Sequence, residues 1–351
     1  MADLLVYRAE GVAAARGGER LYGFAVTEWE LPATYPPFAA LVFVPLGWVP
    51  LGLLKGLFLL GNIALTGVLV HLSCRAAGLR PGPGAVCAGT GGALWLEPVF
   101  QTIVFGQINL ALACLVLWDL NRPAGARGKG IALGIATGVK LTPAVFVVHL
   151  FLRGRRREAS YAVAGAAGTA ALGALVLPYA SWEFWTRRVF ETGRVGKAWI
   201  VDNQSLQGLV ARVLHTAEPG LLWGGLAVLV ASGGLCLAVR ARSDAHGLVL
   251  AALTALLVSP ISWSHHWVWC VPLLALLWAG GHRRTAVGVG VLFTGRSMWL
   301  LPHQGDLDLH LSWWQQPLAA PYPLLAVGLL LAAGLRQPSA SSSSASTIRY
   351  A

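Results

Sequence analysis

Residues 131–152 read "IALGIATGVKLTPAVFVVHLFL", and how this stretch sits in the chain decides the fold. Its length suits one crossing of a bilayer, which takes about 20 apolar residues. Its flanks forbid that. Arg122, Arg127 and Lys129 precede it, and Arg153, Arg155, Arg156 and Arg157 follow it. Short loops rich in Lys and Arg stay on the cytoplasmic side, so a single crossing would put one of these clusters outside. The middle, "GVKLTP" (138–143), places a charge and a proline where a span should be most apolar. A charged side chain at mid-membrane costs at least ~2.5–3.5 kcal/mol, and broken backbone at that depth is tolerated only where it lines a cavity. The reading is two short helices that enter from the cytoplasmic side and return, with Lys140 near the outer turn.

The rest of the chain agrees with a membrane setting. It has 351 residues, of which 12% are charged, where soluble domains carry about 25%; its mean hydropathy is +0.63. Apolar runs of about 17 to 22 residues recur along it, the length of a membrane-spanning helix. The expected class is all-α, a polytopic integral membrane protein of about 10–11 transmembrane or re-entrant helices. A net charge of +11 could suggest nucleic acid, but the basic residues sit in short loops, among them Arg240 and Arg242, Arg283 and Arg284. That is the positive-inside pattern and argues against a nucleic-acid partner. The five cysteines lie in or beside apolar runs without metal-ligand spacing and read as packing residues.

Working from the basic loops, spans near 160–178, 221–240, 246–263, 266–281, 285–301 and 321–335 alternate across the membrane. Upstream, 56–74 runs inward, 83–101 outward and 107–120 inward. The proline-rich "YPPFAALVFVPLGWVPL" (35–51) fits an interfacial or re-entrant helix. Residues 1–336 form one domain on this reading, with 1–55 an extracytoplasmic loop carrying a juxtamembrane helix, and 337–351 a disordered cytoplasmic tail. The polar motifs then gather at the outer boundary of a plasma-membrane protein.

Lys140 is the strongest single signal, since an ionisable group in an apolar segment is functional by default; a lysine snorkelling to the interface is the plainer alternative. His265 and His266, in "SPISWSHHWVW" (259–269), point about 100° apart on a helix and lack a third ligand in register, so no metal is expected. They fit packing histidines or a hydrogen-bonding role toward a phosphate or sugar, with Trp263, Trp267 and Trp269 as interface belt or sugar platforms. Gln107 and Asn109 in "FGQIN" could serve only as interhelical hydrogen bonds. Glu97 is a buried carboxylate in need of a partner.

Taken in order, "DLLVYR" (3–8), "TYPPF" (34–38), "FGQINL" (105–110), "GVKLTP" (138–143), "NQSLQGLVAR" (203–212) and "SPISWSHHWVW" resemble the motifs of glycosyltransferase family 87. The likeness covers about residues 3–335. That family comprises polyprenol-phosphate-mannose-dependent mannosyltransferases of the GT-C fold. The resemblance implies transfer of a hexose, mannose first, from a polyprenyl-phosphate donor to a glycolipid or polysaccharide hydroxyl at the outer leaflet, without a cofactor. It implies Asp3 as the base in the first extracytoplasmic loop, with Lys140, His265, His266 and Arg8 toward the donor phosphate. Tyr35, Gln107, Asn109, Asn203 and Trp263 would hold sugar or acceptor. The family carries a transmembrane helix before the acidic loop, whereas Met1 stands two residues before Asp3. This predicts a longer natural chain, or a copy without its first helix that acts as an inactive scaffold. A lipid-linked-sugar flippase is the other class that fits; it would need a polar path reaching the cytoplasmic face.

Overall fold

The computed structural model describes residues 1–336; the expected tail at 337–351 lies outside the described residues. The chain is built almost wholly from helices. The first are α1 (Ala2–Ala15), α2 (Pro37–Phe43), α3 (Leu51–Ala76), α4 (Pro83–Ala93), α5 (Glu97–Phe105) and α6 (Asn109–Leu120). Next come α7 (Ile131–Val139), α8 (Ala144–Leu152), α9 (Arg156–Val176), α10 (Pro178–Thr186), α11 (Leu206–Val213) and α12 (Gly220–Val239). The last are α13 (Asp244–Val258), α14 (Cys270–Ala279), α15 (Arg283–Thr294), α16 (Gln316–Ala319) and α17 (Pro321–Leu335). A two-stranded ribbon, β1 (Ala25–Val26) and β2 (Leu31–Pro32), follows α1.

Among the described residues, three helices (α3, α9 and α12) are long and apolar enough to cross a bilayer, or up to five spans if each sharply bent pair counts as one. This is fewer continuous crossings than the ten or eleven helices expected, because several apolar runs are broken. The run at 83–101 is the clearest correction. α4 stops at Ala93, α5 restarts at Glu97, and α5 meets α6 at 120°. Gly106 makes that corner with φ of 70°, a left-handed conformation that glycine adopts at little cost. As a result α5 leaves the span direction, and "GQI" forms the turn between two helices.

The segment 131–152 folds as two nine-residue helices broken at 140–143. Lys140 itself is extended, with φ −147° and ψ 130°, and Pro143 starts α8, where its missing N–H costs no helical bond. Both feet stand at one end of the bundle. Glu158, in the first turn of α9, receives Lys129 at 3.8 Å and Arg155 at 2.8 Å. Asp119 accepts the backbone N–H groups of Gly130 and Leu133 at the start of α7, satisfying two donors that a helix N-terminus leaves open. After α8, Arg153 reaches the carbonyls of Ala238, Val239 and Ala241 at the end of α12.

The arms of this hairpin are short, ~13 Å each at 1.5 Å per residue. α7 can lie against α9 because Gly130, Gly134 and Gly138 recur every fourth residue on one face. A Cβ on Gly134 would drive into the Ala162 carbonyl, and one on Gly138 into the Thr169 side chain. One turn beyond Thr169, Gly173 faces Phe38 of α2. The tip bearing Lys140, at the turn where the sequence placed it, is thus roofed by α2. α1 closes the same end: Gly11 touches the Phe43 carbonyl, again where no Cβ would fit.

Gly134→Ala is expected to destabilise the protein by about 1–3 kcal/mol through overpacking. Gly168→Ala, on the open face of α9 where a Cβ meets nothing within 4 Å, should be neutral or stabilising by about 0.5–1 kcal/mol. Thermal melts of the two variants in detergent check this ordering.

Candidate functional site

The helix α1 brings Asp3, Tyr7 and Glu10 to one face, since residues at i, i+4 and i+7 stack along a helix. What the sequence alone would treat as a loose terminus is a packed helix with Leu4 and Tyr7 fully buried. Tyr7 donates its hydroxyl to Oε1 of Gln107 at 2.6 Å and lies 3.0 Å from the Tyr35 hydroxyl. Tyr35 reaches the same Gln107 oxygen at 3.3 Å. With that oxygen occupied, the Gln107 amide N–H is free to donate to the Asp3 carboxylate, with which it is hydrogen-bonded. Asp3 is half-buried. Burial pushes its pKa up to about 6, against the lowering effect of the Gln107 bond and the Lys140 charge.

Lys140 occupies the centre. Its Nζ donates to Asn109 Oδ1 at 3.0 Å and to the Tyr35 hydroxyl at 3.4 Å, and lies 3.2 Å from His266 Nε2. An ammonium can share that last contact only with a neutral imidazole carrying its proton on Nδ1. Asn109 in turn donates its amide to the carbonyl of His265 at 3.0 Å, which Thr102 also reaches at 3.2 Å. His266 is therefore the histidine that meets Lys140. The His265 ring is buried between Phe105 and His266, and neither of its nitrogens has a hydrogen-bond partner.

Three expected site residues are placed differently. Arg8 follows Tyr7 by one residue and so points about 100° away; it donates to the Gly47 carbonyl at 3.4 Å and is not brought to Lys140. Asn203 is fully buried and engaged on every side: it donates to the Ala198 and Pro260 carbonyls and accepts from the Ser205 and Ser262 N–H groups. It ties the 198–205 loop to the turn before the histidines. Trp263 pairs its backbone with Asn203, and its ring covers Gly196, where a Cβ would come within 2.7 Å.

Asp202 opens the polar stretch "DNQS" (202–205), which the sequence places at the outer boundary without giving the acid a role of its own. It accepts the Ser264 N–H at 3.1 Å, and its charge raises the pKa of Asp3. Burial also raises Asp202 above the usual carboxylate range. Glu97 has the partners it needs: Trp299 Nε1 at 3.1 Å and the Tyr322 hydroxyl at 2.7 Å. It joins α5 to α17 and to the loop before it, and it is structural. Among the described residues no group of three or more His, Cys, Asp or Glu side chains is gathered as a metal site would require.

From Lys140 a narrow cleft leads away between α6, α8 and α13. Asn109, Lys140 and His266 form its polar mouth; Leu112, Val116, Phe146 and Leu256 line its apolar length. A cation and neutral hydrogen-bonding groups at the head of an apolar cleft suit a molecule with an anionic head and a hydrocarbon chain.

A bundle of apolar helices with a polar chamber at one end and an apolar cleft running from it is the architecture of a membrane enzyme acting on an amphipathic substrate. The chain belongs to glycosyltransferase family 87, a membrane family of GT-C type, whose model matches residues 33–260, and it is a glycosyltransferase. It is 33% identical over 365 residues to the polyprenol-phosphate-mannose-dependent alpha-(1-2)-phosphatidylinositol mannoside mannosyltransferase of Mycobacterium tuberculosis, covering 95% of this chain and 84% of that protein. It is 38% identical over 310 residues to a Mycobacterium tuberculosis enzyme described as the corresponding pentamannoside mannosyltransferase, covering 85% of this chain and 70% of that one. A Mycolicibacterium smegmatis phosphatidylinositol mannoside mannosyltransferase is 32% identical, covering 87% and 76%. No solved structure matches the chain.

Asn203→Ala leaves the Ser205 and Ser262 N–H groups and the Ala198 carbonyl without the partner that Asn203 supplies, at about 1–3 kcal/mol each when unsatisfied, while the Pro260 carbonyl keeps the Ser205 hydroxyl. The expected outcome is a melting temperature well below wild type, whereas Arg8→Ala should lose only its one long hydrogen bond and melt near wild type.

Proposed function

We propose that this enzyme moves a mannosyl group from a polyprenyl-phosphate donor to a hydroxyl of a glycolipid, at the end of the bundle opposite its basic loops. The observation that carries the reading is Lys140, with Asn109 and His266 beside it, at the head of an apolar cleft. The donor phosphate sits against Lys140 and His266, and the isoprenoid chain runs along Leu112, Val116 and Phe146. Because the arginine-rich feet of the hairpin stay cytoplasmic by the positive-inside rule, the chamber faces the extracytoplasmic side of the plasma membrane. The relatives named for phosphatidylinositol mannosides favour an acceptor of that kind.

Asp3 takes the proton of the acceptor hydroxyl as its oxygen attacks the anomeric carbon. The bond from that carbon to the phosphate oxygen breaks, its electrons pass to the phosphate, and the configuration inverts. The leaving phosphate needs no strong acid, but its growing charge is stabilised by the fixed Lys140 ammonium. Gln107 and Tyr35 stand between base and cation and hold both in register. His265, with both ring nitrogens unpartnered, offers a donor and an acceptor to a sugar hydroxyl. A flippase would need a polar path to the basic end, and the reading against it is that Asp119, Lys129 and Glu158 there are engaged with the hairpin feet.

With membranes and labelled polyprenyl-phosphate-mannose, Lys140→Ala is expected to lower transfer about 10²–10³-fold; wild-type activity in that variant would overturn the reading. Asp3 must be ionised to act, so kcat/KM for wild type should rise through pH 6, following the pKa of about 6. The sign for stability is opposite. The native carboxyl holds its proton more tightly than the usual carboxylate, near 3.9, so its contribution to stability is present below that value and lost as pH rises through 6. Asp3→Asn should therefore abolish transfer yet melt at or above the wild-type temperature at pH 7.5. A melt well below wild type would mean Asp3 serves the fold instead.

A further inference from the structure

The ribbon between α1 and α2 carries a feature that the transfer chemistry does not use. Its turn reads Thr27-Glu28-Trp29-Glu30. β1 and β2 pair Ala25 with Pro32 and Val26 with Leu31, and both strands pack against α1. The turn is held by the Glu30 N–H on the Thr27 carbonyl at 3.2 Å and the Trp29 N–H on the Thr27 hydroxyl at 3.3 Å. Thr27 and Glu30 have φ of 70° and 50°, left-handed conformations that only a few per cent of non-glycine residues adopt. The product of this geometry is an indole that is 59% exposed between two exposed carboxylates.

Trp29 is joined to the chamber. Its ring stands edge-on to Phe105, centroids 6.5 Å apart, and Phe105 stands edge-on to His265 at 5.4 Å. The next residue, Gly106, lies under Met1 and Leu4 of α1, and the one after it, Gln107, holds Asp3. A molecule presenting one hydroxyl to Asp3 would extend over Phe105 onto Trp29.

We propose that Trp29, with Glu28 and Glu30, is a binding platform for a sugar ring of the acceptor next to the one that reacts. The inference rests on the glycosyl-transfer reading above and assigns the acceptor side of that same site. The flat C–H face of a pyranose packs on an indole while carboxylates beside it accept its hydroxyls. The flanking charges separate this tryptophan from a membrane anchor. Trp182 and Trp185 are also exposed, on α10, but there Glu183 between them is paired with Arg188 at 2.7 Å and the charges balance locally. Trp29 is flanked by two carboxylates, which an anionic lipid surface repels.

The test is steady-state kinetics of the full chain in membranes, with labelled polyprenyl-phosphate-mannose as donor and a phosphatidylinositol dimannoside as acceptor. Trp29→Ala is expected to raise the acceptor KM about fivefold to tenfold while leaving the donor KM unchanged, and Trp29→Tyr to restore most of it. Glu28→Gln with Glu30→Gln should raise the acceptor KM by a smaller factor. An unchanged acceptor KM in Trp29→Ala, or an equal rise in both KM values, overturns the platform and leaves the transfer reading standing. Quenching of the Trp29 indole by brominated lipids, read as the difference from Trp29→Phe, would place it in the bilayer and also overturn the platform. No transfer by the wild-type chain would overturn the reaction itself, and the acceptor assignment with it.

Discussion

Everything at the polar end of this protein depends on one lysine being carried into an apolar bundle on a hairpin with both feet on the same side. Lys140 stays there because its three donors have partners: Asn109, Tyr35 and His266, supplied by three other parts of the chain. An uncompensated ammonium at that depth would cost several kcal/mol. The hairpin reaches them because Gly130, Gly134 and Gly138 let α7 press backbone against backbone on α9, the close approach by which helices associate in lipid. At the far end Glu158 gathers Lys129 and Arg155, fixing both feet against one carboxylate. The fold and the site are consequences of the same short break at 140–143.

The distribution of charge within the chamber follows from that placement. Burial and the Asp202 charge raise the cost of ionising Asp3, and Lys140 lowers it. Gln107 and Tyr35 lie between Asp3 and Lys140, so the carboxylate and the ammonium influence each other without being consumed in a contact pair. A direct ion pair would hold Asp3 at low pKa and make it a poor base. Kept apart, the carboxyl titrates near 6, close to the working range of a general base, while Lys140 keeps hydrogen bonds that an anionic ligand can replace.

The hairpin was legible in the sequence because charge flanks and a central Lys-Leu-Thr-Pro break (140–143) contradict a simple span. Lys140, Gln107, Asn109 and Tyr35 were legible as polar groups in apolar surroundings, and the structure brings them together. The misplacements have a physical pattern. Arg8 and Asn203 lie in motifs whose neighbours form the chamber, but one position on a helix turns a side chain by about 100°, and a buried amide in a loop is as readily used for its backbone. The break between α4 and α5 escaped because Gly and Pro are common in membrane helices. Asp202 and Trp29 were missed for another reason. Each sits in a polar stretch where an acid or an aromatic is unremarkable, and only the packing of distant segments sets Trp29 against Phe105 and Asp202 against Ser264.

The route from chamber to cleft constrains the substrates further. The part of the cleft lined by Leu112, Val116, Phe146 and Leu256 offers sugar hydroxyls no side-chain partner, in contrast to the part lined by Asn109, Lys140, Thr142, Ser259, Ser262 and His266, and a hydroxyl buried without a partner costs about 1–3 kcal/mol. A chamber holding Asp3 and Lys140 cannot take a hydrocarbon chain without stranding those charges. On the proposed reading an amphipathic donor would lie with its chain along the cleft and its head at Lys140. Its sugar, beyond the phosphate, would then lie toward Asp3. The acceptor would come from the side the donor leaves open, the side proposed above for Phe105, His265 and the ribbon that carries Trp29.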